Sequence, residues 1–121
     1  MNWDYLAGFF DGEGTVHFVT LNGRRYARVG ITQNDRPILE EIKTFLNSEG
    51  YHRVTLVTSR HSPLATPEHT ELKVNAQVDI LRLLQQLLPL AHVKRDKISE
   101  TIREMQVGQI LEGDLDKSFP L

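Results

Sequence analysis

The stretch Leu6-Ala7-Gly8-Phe9-Phe10-Asp11-Gly12-Glu13-Gly14 decides the fold of this 121-residue chain. It joins an apolar run to a short acidic segment in which glycines separate the carboxylates. Residues 3–10 include no proline and no β-branched side chain to oppose an α-helix, and Asn2 or Asp4 can cap its start. We expect the helix to end in a turn at residues 11–14.

Two faces of this predicted helix differ in character. On a period of 3.6 residues, one face carries Tyr5, Gly8, Phe9 and Gly12. Another face carries Trp3, Leu6 and Phe10. Glycine inside a helix costs about 0.5–1 kcal/mol, so two glycines one turn apart indicate that a second helix packs against the first face, closer than the usual axis separation of about 8–10 Å.

The stretch resembles the signature of the LAGLIDADG homing endonucleases, which reads Leu-Ala-Gly, two apolar residues, and then Asp-Gly-Asp-Gly or a near variant. Glu13 replaces the commoner second aspartate. The resemblance implies that the helix pairs with a copy of itself through Tyr5, Gly8, Phe9 and Gly12. It also implies that the Glu13 carboxylate and the Gly12 carbonyl bind a divalent metal at a DNA-cleaving site. The alternative is a tightly packed core helix that ends in a polar turn.

Length and composition bound the possibilities. We expect residues 1–121 to form a single domain, with a core over about residues 1–110 and an acidic tail at residues 111–121. The chain has one copy of the motif, so chemistry that needs two copies requires a homodimer. The absence of cysteine, of a signal pattern and of any apolar run of membrane-spanning length predicts an intracellular protein that is neither secreted nor membrane-bound.

Charge is unevenly distributed along the chain. The formal net charge is −2, which argues mildly against a nucleic-acid partner. Residues 15–33 and 51–61, however, contain only basic charges, namely Arg24, Arg25, Arg28, Arg53 and Arg60. A segregated basic surface of this kind can bind DNA, with an affinity that depends strongly on salt.

Periodicity and turn signals predict the remaining elements. Two alternating runs at residues 15–21 and 24–33 flank Asn22-Gly23, a strong hairpin signal. A helix that contains Pro37 and stops at Gly50 follows. We then expect strands at 51–59 and 69–75 joined by an exposed loop at 60–68, a helix at 78–88, and a helix from about 96 to 107 that Gly108 ends.

This order predicts an α+β fold with a four-stranded antiparallel sheet backed by helices on one face. It is also the αββαββα order of the LAGLIDADG endonucleases. By resemblance, Gln33 and Lys94 join Glu13 as catalytic residues; read without the resemblance, they are a polar residue at a helix entry and a solvated lysine. Our candidate DNA contacts are Arg24, Tyr26, Arg28, Thr32, Arg36, Arg53, Thr55 and Lys73.

The resemblance implies a homodimeric DNA endonuclease that uses Mg²⁺, or another divalent cation such as Mn²⁺, to cut both strands of double-stranded DNA at a long pseudo-palindromic site. Intron or intein mobility is implied by the resemblance alone. One alternative is a non-cleaving DNA-binding regulator or RNA-splicing maturase of the same fold. Another is an unrelated protein–protein interaction module, which predicts no metal dependence, no DNA binding, and scattered arginines.

Overall fold

The computed structural model describes residues 1–59 and 69–112, and its elements follow the predicted αββαββα order. The predicted loop at 60–68 and residues 113–121 of the predicted tail lie outside the described residues. The elements are α1 Trp3–Glu13, β1 Gly14–Leu21, β2 Arg24–Gln33, α2 Arg36–Ser48, β3 Val54–Ser59, β4 His69–Val74, α3 Gln77–Leu87, a 3₁₀ turn Leu88–Leu90, and α4 Arg95–Glu112.

Helix α1 passes directly into β1. The turn expected at residues 11–14 is wrong, because the helix continues through Glu13 and the strand begins at Gly14. The Gly14 N–H donates to the Phe10 carbonyl and closes the last turn. A Cβ on Gly14 would overlap the buried ring of Phe10, so this position requires glycine.

The first two strands form the predicted hairpin. Asn22 and Gly23 have φ angles of 53° and 78°, as a tight two-residue connection with positive φ at both positions requires. Ala27, Val29 and Ile31 are buried under the helices, as their alternation predicted. The hairpin register pairs Gly14 with Ile31.

The four strands form one antiparallel sheet in the order β1-β2-β4-β3. The third strand starts at Val54 rather than at residue 51, because Tyr51 is buried against the core. Its ring meets that of Trp3 edge to face, and the Arg82 guanidinium lies 4.0 Å from its centre. Arg53 therefore precedes the strand instead of belonging to it.

The helices cover one face of the sheet, and their apolar side chains pack against it to form the hydrophobic core. Leu39, Ile42 and Leu46 of α2 are buried, as are Ile80, Leu83, Leu84 and Leu87 of α3. Helix α4 runs past Gly108 to Glu112, so the expected end at Gly108 is wrong. A glycine costs a helix only about 0.5–1 kcal/mol, which is not enough to end one by itself.

Gln77 extends the sheet where β4 ends. Its side chain is 5% exposed, and its amide accepts from the Ala27 N–H at 3.0 Å and donates to the Ala27 carbonyl at 2.8 Å. Ala27 lies two residues before Val29, the β2 residue that pairs with Val74. The Gln77 amide therefore acts as the next rung of the β2–β4 ladder and satisfies two backbone groups.

Replacing Gln77 with Met keeps the volume of the side chain but removes the amide. We expect Gln77→Met to lower the free energy of unfolding by about 2 kcal/mol, since a buried backbone group left without a partner costs about 1–3 kcal/mol. Urea denaturation measures the change. Gln85→Met, at an exposed position of the same helix, is the control and should change stability by less than about 0.5 kcal/mol.

Candidate functional site

Asp11 is the buried carboxylate of α1, and it ties this helix to the segment before α4. Its side chain is 9% exposed. Oδ2 accepts from the His92 N–H at 2.8 Å, and Oδ1 accepts from the Lys94 N–H at 3.1 Å. Nearby backbone N–H groups of this kind form a concave anion site, so the segment wraps around the carboxylate.

The environment of Asp11 favours its ionised form. Burial alone raises the pKa of this carboxyl. The backbone N–H groups of Lys94, His92 and Val93, with a smaller contribution from the charge of His92, outweigh burial and hold the pKa below its usual value. The carboxylate is therefore charged at neutral pH and accepts hydrogen bonds only.

Lys94 contacts Asp11 a second time through its side chain. The Lys94 Nζ donates to the Asp11 backbone carbonyl at 2.7 Å. The last carbonyls of a helix have no partner within it and carry the negative end of its dipole, so the half-buried ammonium sits at a favourable place. The Asp11 carbonyl lies on the final turn of α1, two residues before Glu13.

Glu13 and Gln33, the last residues of α1 and β2, lie at the same edge of the sheet. Glu13 is the exposed last residue of α1, and it has no ion-pair or hydrogen-bond partner among residues 1–59 and 69–112. Gln33 is the last residue of β2, two positions beyond Ile31, which pairs with Gly14. Its Oε1 accepts from the Asn34 N–H at 2.9 Å. The three residues predicted to be catalytic are thus brought to one end of the molecule.

The oxygen donors at this end suit a hard divalent cation. They are the Glu13 carboxylate and the carbonyl of Gly12 in the last helical turn, and such ligands are typical of Mg²⁺ sites. Within the described part of the chain, no three His, Cys, Asp or Glu side chains come together as a metal cluster. One chain therefore offers two donors, and the remaining ligands of any cation must come from elsewhere.

The face of the sheet away from the helices carries part of an open groove of about 460 Å³, whose lining includes residues of β1, β2 and β4. We call this surface the outer sheet face; by strand alternation it consists of Thr15, His17, Val19, Leu21, Arg24, Tyr26, Arg28, Gly30, Thr32, Thr55, Val57, Glu71 and Lys73. Six of the eight predicted DNA contacts belong to it. Arg24 and Arg28 thus share one sheet face, whereas the protein-interaction alternative predicted scattered arginines; Arg53 lies off this face.

Two of the predicted DNA contacts lie off the outer sheet face. Arg53 is exposed just before β3. Arg36 begins α2, where it donates to the Thr58 hydroxyl at 2.8 Å and lies 3.7 Å from the Glu40 carboxylate. The alternation that predicted the outer sheet face places Glu71 on it as well, although sequence reasoning assigned this residue no role.

The predicted pairing face of α1 is not covered by any of the residues that the structure describes. Tyr5 is 50% exposed, Phe9 is half-buried, and their rings stack with centres 6.3 Å apart. Gly8 and Gly12 are exposed, and a Cβ on either would meet no atom within 4 Å. Packing against residues 1–59 and 69–112 therefore does not require these glycines.

The family model of the LAGLIDADG-like domain matches residues 3–88. The chain belongs to the LAGLIDADG family. The match covers α1, the whole described sheet and α3, and so includes the motif helix and the outer sheet face. No curated protein matches the chain in sequence.

Solved structures of LAGLIDADG proteins have the same fold. The homing endonuclease I-CvuI in complex with the I-CreI target is 18% identical, with a TM-score of 0.61 over 84% of this chain and 63% of that chain. The meganuclease I-AabMI bound to uncleaved DNA is 19% identical, with a TM-score of 0.57 over 94% of this chain and 40% of that chain. The homing endonuclease I-GzeII in complex with its DNA target is 19% identical, with a TM-score of 0.59 over 98% and 40%.

The present chain is thus matched to 63% of the I-CvuI chain and to 40% of the other two chains. At these identities the likeness establishes the LAGLIDADG fold. None of the helices in the described residues is long and apolar enough to cross a membrane.

Asp11→Asn tests the tie between α1 and the segment before α4. The variant is expected to lower the free energy of unfolding by about 1.5–3 kcal/mol, because it removes the charge that accepts two backbone hydrogen bonds and presents an NH₂ group to other donors. Chemical denaturation measures the loss. Asp35→Asn is the control, since Asp35 is exposed and its side chain caps nothing. Equal stability of the two variants would refute the assigned role of Asp11.

Proposed function

We propose that the protein is a divalent-metal-dependent DNA endonuclease that acts as a homodimer and cuts both strands of a long, nearly palindromic site. The main support is the contact between Lys94 Nζ and the Asp11 carbonyl. It brings an ammonium group to the final turn of the motif helix, which ends two residues later at the exposed Glu13. Such a position lets the ammonium act on a phosphate that is bound at the end of the motif helix.

Glu13 and Gly12 are the proposed metal ligands of each chain. Their two oxygens fit Mg²⁺ or Mn²⁺, which also accept phosphate oxygens as ligands. A cation bound there would supply charge against the negative charge that builds up on phosphorus during hydrolysis. The second chain and the DNA backbone are proposed to provide the ligands that one chain lacks.

Lys94 and Gln33 have separate proposed roles. The Lys94 ammonium stabilises negative charge on the scissile phosphate, and its contact with the Asp11 carbonyl holds it ready before DNA arrives. Gln33 is proposed to orient the attacking water through its amide. The hydrogen bond from the Asn34 N–H to Gln33 Oε1 fixes the side chain at the end of its strand.

The homodimer is proposed to form by packing α1 against α1 of a second copy. The open surface at Gly8 and Gly12 supports this, because two helical glycines cost about 1–2 kcal/mol together and relieve no clash inside the chain. A two-fold axis along this contact would bring both Glu13 carboxylates together. It would also set the two outer sheet faces side by side.

The outer sheet faces are proposed to lie in the major groove of DNA on either side of the cleavage point. Arg24 and Arg28 of β2 lie on this face and suit guanine, whose O6 and N7 both accept. The eight residues of β1 span about 26 Å, or close to eight base pairs. A dimer would then contact a site of about 16–22 base pairs. I-AabMI and I-GzeII, which have the same fold, were solved with DNA bound, which supports DNA as the partner.

Glu13→Gln is the decisive variant for cleavage. We expect its rate of metal-dependent cutting to fall by about 10³-fold, since metal assistance of several kcal/mol corresponds to a factor of ten for each 1.4 kcal/mol. The measurement is cutting of a randomised duplex library with and without Mg²⁺, followed by sequencing of the cut ends.

Glu41→Gln, which removes an exposed carboxylate on α2, is the matched control and should cut like the parent. If the parent retains a long site from the library and cuts nothing, the protein is a DNA-binding relative and the endonuclease proposal fails. Equal cutting by parent and Glu13→Gln would exclude Glu13 as a ligand.

Gly8→Leu tests the dimer. The new side chain meets nothing within its own chain, and leucine favours a helix more than glycine does, so we expect the monomer to fold and to be more stable by about 0.5–1 kcal/mol. Dimer formation, measured by sedimentation equilibrium, should be lost, and cutting with it. Gln85→Leu adds the same side chain to α3 and should leave the dimer intact. A parent protein that stays monomeric with and without DNA would overturn this dimer.

A further inference from the structure

Glu71 is the one acidic side chain among the described residues of the outer sheet face, and the sheet makes room for it. Its Oε2 lies 2.9 Å from the point where a Cβ would stand on Gly30, so the missing side chain of Gly30 leaves the space that the carboxylate occupies. The Lys73 Nζ lies 3.7 Å from Oε1. The Glu71 side chain is 39% exposed, and it lines the groove together with Gly30 and Lys73.

The strand register places Glu71 at a defined point along the groove. Glu71 pairs with Thr32, and its neighbour Thr70 pairs with Gln33, the proposed catalytic residue at the end of β2. Lys73 pairs with Gly30, two residues farther from that end. Two residues of antiparallel strand span about 6.8 Å, the rise of two base pairs. Glu71 therefore lies nearer to the cleavage point than Lys73 does.

The chemistry of a carboxylate restricts what Glu71 can face in the major groove. When ionised, it accepts hydrogen bonds and donates none. Guanine presents the acceptors O6 and N7 and thymine presents O4, all of which repel it. Adenine presents the N6 amino donor beside the acceptor N7, which repels a carboxylate, whereas cytosine presents the N4 amino donor with no such acceptor beside it. The adjacent Lys73 ammonium lowers the cost of bringing a negative side chain close to phosphates.

We infer that Glu71 determines specificity by accepting a hydrogen bond from the N4 amino group of one cytosine in each half-site, close to the cleavage point. Lys73 contacts a guanine farther out. The inference rests on the proposed function, because it requires duplex DNA on the outer sheet face. The contacts of the arginines and the lysine also strengthen binding to any sequence. Glu71 would add a residue that discriminates between bases.

The test compares the bases that the parent and Glu71→Gln select from a randomised duplex library, with Ca²⁺ in place of Mg²⁺ to keep the DNA intact. The parent should enrich cytosine at one position of each half-site. Glutamine forms a bidentate pair with adenine through N6 and N7, so Glu71→Gln should shift the ratio of cytosine to adenine at that position by about tenfold towards adenine. Glu100→Gln, on exposed α4 surface, is the matched control and should keep the parental preference.

The variant Lys73→Gln tests the order in which Glu71 and Lys73 contact bases along the DNA site. Its altered base preference should lie farther from the centre than that of Glu71→Gln. The opposite order would overturn the inference. So would a Glu71→Gln protein that binds all duplexes more tightly with unchanged base preference, because Glu71 would then only reduce the positive charge of the groove. A parent that retains no duplex at all overturns the proposed function itself, which distinguishes the two failures.

Discussion

The direct passage of α1 into β1 at Gly14 is the constraint on which the site depends. No linker separates the last helical residue, Glu13, from the first residue of the strand. Because Gly14 lies against the buried ring of Phe10, the angle between helix and strand is set by core packing. The pairing of Gly14 with Ile31 then determines where Gln33, the last residue of β2, lies. The position of the acidic residue relative to the sheet is therefore a property of the core.

Asp11 connects the segment that contains Lys94 to α1 and the sheet. Its carboxylate binds two backbone N–H groups of the segment before α4, and its carbonyl binds Lys94 Nζ. A buried carboxylate that lost these partners would be costly, so α1 and the start of α4 are expected to move together or not at all. Rigid support of this kind is what a group needs if it is to stabilise developing charge without reorganising during the reaction.

Local signals in the sequence predicted most of the fold. The hairpin at Asn22-Gly23, the alternation of β2 and the helix that contains Pro37 each depend on neighbours a few residues away, and all three predictions are confirmed. Asp11 and Gln77 were missed because their partners lie 50 to 83 residues distant, and pattern reasoning treats a polar residue as exposed. The ends of α1 and α4 were misplaced because glycine was read as a stop signal where the helix continues through it.

Helix α1 has different demands on its two faces. Leu6, Ala7 and Phe10 are buried in the core and stabilise the chain alone, whereas Gly8 and Gly12 face outward and lower the stability of the isolated helix. A sequence selected only for folding would replace these glycines, since no described residue opposes a side chain there. In the proposed homodimer their cost would be offset by the close approach of a second α1 helix. Folding and completion of the site would then be separate steps, and the outward face of α1 would serve the second step.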